Sequence, residues 1–352
     1  MEKRVLVAMS GGVDSAVAAA TLVEQGHPCI GATMRLSTGK AGSCGSGAEA
    51  EDARRVAEKL NMPHKVFDFS ADFEKQVIGR FCEAYRCGRT PNPCIDCNRY
   101  MKFQKLYEQA KELGCDKVAT GHYARVRYDE TSGRWQLLRA RCREKDQSYV
   151  LYTLTQQQLA ASVFPLGEMP SKQAVRDKAA ALGFANADKP DSQDICFVPD
   201  RDYAAFLEEY IGETAAPGDF VDDTGRVLGR HRGLIRYTVG QRKGLGLSLP
   251  APLYVCEKRT EDNTVVLGEE QKLFKTELIA ADFNWISCEP PQNPIPVTVM
   301  TRYRAREVEG EAGVLPDGRV YIRCSQPVRA VTPGQAVVLY DGDRVVGGGT
   351  IV

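Results

Sequence analysis

The hexapeptide Ser10-Gly11-Gly12-Val13-Asp14-Ser15 constrains this chain more than any other segment, because of what flanks it. Residues 4–9 before it read as a short buried strand. The alanine-rich run 14–25 after it, closed by Gly26, reads as a helix. Glycines let a backbone approach an anion closely, and the unbonded N–H groups at a helix start, reinforced by the helix dipole, form an anion site. Ser10 and Ser15 add a hydroxyl at each end. No G-x-x-x-x-G-K-[ST] run occurs, so this is not the usual cradle for a γ-phosphate. A strand that passes through such a turn into a helix opens an α/β domain with a parallel sheet.

The alternation continues. Residues 28–34, 65–69 and 117–120 read as strands, with helices predicted at 49–60 and 100–113. After about residue 210 the texture changes to short β-type runs between Gly, Pro and Asp turns: 218–227, 234–237, 254–258, 264–267, 297–303, 319–322 and 336–340. That spacing predicts small all-β modules. The expected organisation is an α/β domain over 1–205, a small β-rich module over 206–275 and a β-barrel over 276–352.

Composition narrows the setting. Apolar residues at 43% and charged residues at 26% exclude a disordered or collagen-like chain. No apolar run approaches the ~18 residues a spanning helix needs, and no export signal opens the chain, so a cytoplasmic protein is expected. Lys+Arg and Asp+Glu are 46 each, so a polyanion would have to be held by local basic patches. One such stretch runs from Thr224 to Cys256 without an acid and carries Arg226, Arg230, Arg232, Arg236, Arg242 and Lys243. In another, Arg302, Arg304 and Arg306 alternate around Tyr303, which predicts one face of a strand. Such clusters suit phosphates, whereas base choice needs stacking and edge contacts.

Twelve cysteines in a chain expected to stay in the cytosol argue for packing residues, metal ligands or reactive thiols. Cys29, Cys115, Cys142, Cys256, Cys288 and Cys324 stand alone and read as filler. Two segments are different. Gly88-Arg89-Thr90-Pro91-Asn92-Pro93-Cys94-Ile95-Asp96-Cys97-Asn98 reads as a stiff, non-helical loop presenting two thiols. Asp191-Ser192-Gln193-Asp194-Ile195-Cys196-Phe197 sets another cysteine among polar residues. Two metal readings stay open: zinc on Cys82, Cys87, Cys94 and Cys97, giving a stiffened RNA-binding protein, or a 4Fe–4S cluster on Cys94, Cys97 and Cys196.

The hexapeptide resembles the SGGxDS loop of the PP-loop ATP pyrophosphatases, which split ATP into AMP and pyrophosphate on an adenine-nucleotide α-hydrolase-like sheet with helices on both faces. The remaining motifs, GRTPNPCxxCN, ATGHYA, the Lys145-Asp146-Gln147-Ser148-Tyr149 run, DSQDICF, TVGQRKGL and AVTPGQ, resemble in content and order those of the tRNA-specific 2-thiouridylase family. The resemblance implies ATP, with Mg2+, on Ala8, Met9, Ser10, Gly11, Gly12, Val13, Asp14 and Ser15, and contacts from Met34 and Gly121 to the nucleoside. It implies catalytic roles for Asp14, for Cys196 as a persulfide and for Cys97 as the partner thiol, ending in a Cys97–Cys196 disulfide. It further implies tRNA contacts at Asn92, Pro93, Cys94, His122, Lys145, Asp146, Gln147, Arg302, Tyr303 and Gln335. The partners would be the tRNAs for Lys, Glu and Gln, and a persulfide donor such as a cysteine desulfurase or relay protein. Many family members have Asp where this chain has Cys94.

Overall fold

The computed structural model describes residues 4–36, 47–187, 189, 195–198, 202–248 and 251–352; residues 191–194 of the DSQDICF run lie outside them. Five parallel strands make the first sheet, in the order β3 (His64–Asp68), β2 (Cys29–Arg35), β1 (Val5–Ala8), β4 (Lys117–Ala119) and β7 (Ser162–Val163). Alternation along β1 fills both faces. Val5 and Val7 pack with α1 (Val13–Glu24) and α2 (Gly47–Lys59), while Leu6 packs on the other side against Phe73, Met101 and Leu106. Helices therefore cover the two faces of a sheet whose strands are buried by continuous apolar runs.

The second module is a four-stranded sheet in the order β10 (Tyr254–Arg259), β11 (Thr264–Gly268), β8 (Gly218–Val221) and β9 (Val227–His231). The third is a closed barrel in the order β12 (Phe274–Trp285), β15 (Val320–Arg329), β14 (Val308–Val314), β13 (Ile295–Met300), β16 (Ala336–Asp341) and β17 (Arg344–Ile351), with β17 returning to β12. A hairpin of the first domain, β5 (Ala124–Asp129) and β6 (Arg134–Arg139), extends this sheet where Leu138 faces Arg344. The two domains also meet where Asn284 Nδ2 donates to the carbonyls of Tyr152 (2.7 Å) and Leu154 (3.0 Å).

Five expectations need correction. The segment after Pro91 is helical rather than a loop: Asn92 caps the turn Pro93–Asp96, its Oδ1 accepting from Cys94 N (3.1 Å), and the helix continues through a wide-turn stretch, Cys97–Lys105, into Leu106–Glu112. Asn and Pro are loop formers, but they are also the preferred residues of a helix start. Residues 301–307 form a turn beyond β13, so Arg302, Arg304 and Arg306 do not share a strand face. Residues 234–236 form a helical turn, and 218–227 is interrupted between β8 and β9. The basic stretch is partly neutralised by acids elsewhere: Arg226 pairs with Asp222 (3.7 Å), Arg230 with Asp219 (3.1 Å) and Arg236 with Glu208 (2.6 Å).

Candidate active site

The turn after β1 is tied to itself. Ser10 N donates to Ser15 Oγ (3.2 Å), and Ser15 Oγ donates to the Gly12 carbonyl (3.0 Å). Gly12 occupies the N-cap of α1 without a side-chain cap, which leaves the first amides of a 12-residue helix to an incoming anion. The Gly11 carbonyl accepts from buried Asn186 Nδ2 (3.0 Å). Met9 is fixed by Thr33, whose hydroxyl donates to its carbonyl (2.8 Å), and Ala8 and Met34 pack into the apolar cluster below. Gly121 follows β4 so closely that a Cβ there would lie 2.9 Å from Ser15 N and from the Asp14 carbonyl carbon. The strand end thus presses directly on the start of α1.

Asp14, in the first turn of α1, receives three hydrogen bonds that its sequence neighbourhood does not announce. Lys172 Nζ donates to Oδ1 (2.8 Å) and Oδ2 (2.7 Å), and the Tyr123 hydroxyl donates to Oδ1 (2.7 Å). The first helical residue after its N-cap Ser171 thus brings Lys172 to the rim of the anion-binding turn from 158 residues away. An ammonium there can follow charge developing on a phosphate leaving group. Lys172→Ala is expected to lower pyrophosphate release by about a hundredfold, the usual cost of removing one charge-stabilising donor. Steady-state kinetics with ATP varied would check this; an unchanged kcat would exclude the role.

The two cysteine segments pack against the same apolar cluster of the sheet. Cys97 and Cys196 are both part-buried against one apolar cluster, which also holds Ala8, Met34 and Tyr100. Phe197 anchors its neighbour Cys196 through ring contacts with Phe73 (5.7 Å), Phe81 (5.4 Å) and Phe206 (5.4 Å). Cys97 is anchored by the next residue, Asn98, which donates to the Val150 carbonyl (2.9 Å) in the core. Cys94 lies one turn earlier and is exposed. The proposed zinc set does not assemble. Cys82 points into a cluster with Tyr85 and Leu207, where burial pushes its thiol up to about 11, while Cys87 at the surface donates to Glu83 (3.4 Å).

The remaining motif residues brace this arrangement. Gln335 Nε2 donates to the Thr90 carbonyl (2.7 Å), Thr90 N donates to the Pro333 carbonyl (2.9 Å), and a Cβ on Gly334 would meet Thr90 N at 2.9 Å. A barrel loop therefore grips the residues leading into Asn92, Pro93 and Cys94. Arg302 turns inward, its Nη2 donating to the carbonyls of Val239 and Ala330 (both 3.1 Å) and to Thr332 Oγ1 (2.7 Å), which ties the middle module to that loop. Gln147 Oε1 accepts from Tyr123 N (2.9 Å), and the Asp146 carbonyl accepts from the Tyr303 hydroxyl (3.1 Å). Lys145 is part-exposed beside them. His122 is buried, with Nε2 accepting from Lys102 (3.4 Å) and Nδ1 at 2.7 Å from Thr120 Oγ1. Burial, and then the Lys102 charge, hold its pKa well below the usual histidine range, so the ring is neutral.

A parallel sheet with helices on both faces, whose first strand passes through an uncapped glycine turn into a helix, is the arrangement of a PP-loop nucleotide-using enzyme of the HUP-domain class. Residues 3–200 match the family described as tRNA methyl transferase HUP domain, 204–269 the tRNA methyl transferase PRC-barrel domain and 275–351 the aminomethyltransferase beta-barrel domain. The chain belongs to the tRNA-specific 2-thiouridylase family: it is 49% identical to the tRNA-specific 2-thiouridylase MnmA of Acetivibrio thermocellus, covering 99% of each chain. It is likewise 49% identical to that of Symbiobacterium thermophilum, over 99% of this chain and 92% of the relative, and 45% identical to that of Clostridioides difficile, over 100% and 98%. Among the described residues no helix is long and apolar enough to cross a membrane.

Proposed function

We propose that the protein converts the wobble uridine of tRNAs for Lys, Glu and Gln to 2-thiouridine, using ATP and sulfur carried on Cys196. The observation that carries this reading is one shared apolar cluster. It gathers the ends of the nucleotide-binding strands, at Ala8 and Met34, with both Cys97 and Cys196.

The uridine O2 attacks the α-phosphorus of ATP, and pyrophosphate leaves into the amides of the Gly11–Gly12 turn. The carbonyl oxygen is now part of AMP, a good leaving group. The terminal sulfur of a Cys196 persulfide attacks C2, and AMP departs with its oxygen. Cys97 then attacks Cys196 Sγ, so the sulfur–sulfur bond breaks toward the base and a Cys97–Cys196 disulfide remains, to be reduced by thiols before the next turnover. A cysteine desulfurase or relay protein reloads Cys196. Asp14, in the first turn of α1 and steadied by Lys172 and Tyr123, is the carboxylate that would hold the Mg2+ accompanying ATP, which would screen the phosphate charge.

The alternative on the same thiols, a 4Fe–4S cluster, does not fit the side chains as they stand. Among the described residues no three His, Cys, Asp or Glu side chains converge into a set able to hold a metal ion.

Incubating the purified chain with ATP, tRNA and a persulfide donor should yield 2-thiouridine by nucleoside mass spectrometry. AMP and pyrophosphate should form only when tRNA is present. Protein purified without oxygen should thiolate while free of iron, and Cys94→Asp should retain thiolation. Near four irons and four acid-labile sulfides per chain, lost with activity in Cys94→Asp, would replace the persulfide route by the cluster.

A further inference from the structure

Lys102 lies one turn beyond Cys97 on the cysteine helix and takes no part in the steps above. Hydrogen bonds in the wide-turn stretch Cys97–Lys105 run from residue i to i+5, so residues five apart share a face. Asn98 and Phe103 show this spacing: Asn98 donates to the Val150 carbonyl (2.9 Å), and Phe103 packs in the cluster that holds Val150. Cys97 and Lys102 are the preceding pair, and wide turns of this kind recur at functional sites. The Lys102 side chain is part-buried and reaches His122 Nε2 (3.4 Å).

That choice of partner is unusual. Lys105, on the same helix, pairs with Asp72 (3.0 Å), and Lys172 pairs with Asp14 (2.7 Å). Among the described residues no carboxylate lies within ion-pair distance of Lys102. Because His122 Nε2 accepts, the ring proton sits on Nδ1 and donates to Thr120 Oγ1 (2.7 Å). Burial, and then the Lys102 charge, keep that ring neutral, and Phe103 (6.0 Å) and Phe164 (6.1 Å) flank it. A neutral acceptor orients an ammonium without cancelling its charge. His122 follows Gly121, the residue that presses on Ser15 N at the anion-binding turn. A part-buried cation without a counterion thus stands on the helix of the thiols, next to the end of β4, and an anion is needed to complete it.

We infer that Lys102 is a catalytic residue of the second half-reaction, the cation that meets the adenylyl phosphate as AMP leaves the uridine, with His122 as its positioning residue. The inference rests on the proposed adenylation of the base. When the persulfide sulfur forms its bond to C2, the C2–O bond breaks and its electron pair departs with the oxygen. The negative charge brought by the sulfur ends on AMP, and no proton moves. A fixed ammonium at that phosphate stabilises the charge as it develops. The two departures then have separate cations. Pyrophosphate leaves toward the glycine turn and Lys172, and AMP leaves toward Lys102, on the helix that carries Cys97.

The test is a single-turnover reaction of the full, persulfide-loaded chain with ATP and tRNA, read by pyrophosphate release and by the intact mass of the tRNA. Lys102→Met keeps the apolar stem and removes the charge. It should release its first pyrophosphate per chain in full, accumulate tRNA heavier by one adenylyl group, and form 2-thiouridine about a hundredfold more slowly. Lys102→Arg restores the charge and should recover most of that loss. A merely structural role would lower the pyrophosphate burst together with thiolation, because a misfolded site adenylates nothing. That joint loss, thiolation at the wild-type rate in Lys102→Met, or an arginine variant no faster than the methionine one would each overturn the assignment. A wild-type chain that forms no 2-thiouridine would overturn the proposed reaction instead.

Discussion

Gly11→Ala abolishes ATP turnover, to below about one hundredth of the wild-type rate, and weakens the fold. Gly11 has φ +72°, and a Cβ there would sit 2.5 Å from the Glu49 carbonyl oxygen at the start of α2. The left-handed conformation alone costs an alanine about 1–2 kcal/mol. The clash adds to it, because the obstacle is backbone and no rotamer change relieves it. Relief by shifting the turn away from α2 would loosen the Gly11 carbonyl held by Asn186, and a reacting group displaced by ~1 Å loses about a hundredfold in rate. Gly12→Ala is the comparator. Gly12 is extended at φ −89°, and the nearest atom to its new Cβ would be Ser10 Oγ at 3.5 Å, so that variant folds as the wild type does. Urea unfolding and tRNA-dependent pyrophosphate release check both. A Gly11→Ala enzyme with the wild-type unfolding midpoint and rate would show that α2 does not confine the turn.

Cys196→Ser eliminates 2-thiouridine while leaving pyrophosphate release in place. A serine hydroxyl cannot hold a transferable sulfur, so the expected loss exceeds a thousandfold, comparable to removing a covalent nucleophile elsewhere. The fold should not respond, because Ile195 and Phe197, which pack against Phe81 and Leu207, hold the segment through their own side chains. Adenylation depends on the turn after β1 and on Lys172, not on this thiol, and the two halves of the reaction separate. The check is nucleoside mass spectrometry run beside a pyrophosphate assay on the same sample. Thiolation above about one hundredth of the wild-type rate would remove Cys196 from the sulfur path.

What the sequence disclosed follows the range of the interactions. The passage from β1 into α1 was legible because apolar run, glycine turn and alanine-rich helix are all local signals. The start of the cysteine helix was misread because Asn92 and Pro93 serve loops and helix caps equally; the side-chain acceptance by Asn92 decides between them, and that is a property of coordinates. The alternation of Arg302, Arg304 and Arg306 had the period of a strand but no partner to pair with. The β5–β6 hairpin carried a readable turn at Thr131-Ser132-Gly133, yet its docking on β17 joins residues two hundred positions apart. Lys172 was invisible for the same reason: nothing near it in sequence points to Asp14.

The grip of Gln335 on Thr90 spans 245 residues and has a consequence for the timing of synthesis. Domains fold roughly in the order in which they leave the ribosome, N-terminal first. The nucleotide-binding turn, completed by Gly121, Lys172 and Asn186, can therefore form before the barrel is translated. The segment carrying Cys94 and Cys97 waits for the loop at 330–335, which is made 245 residues after Thr90. A nascent or prematurely terminated chain would hold ATP over thiols that are not yet seated. The barrel loop thereby couples the seating of the thiols to the completion of the β-barrel.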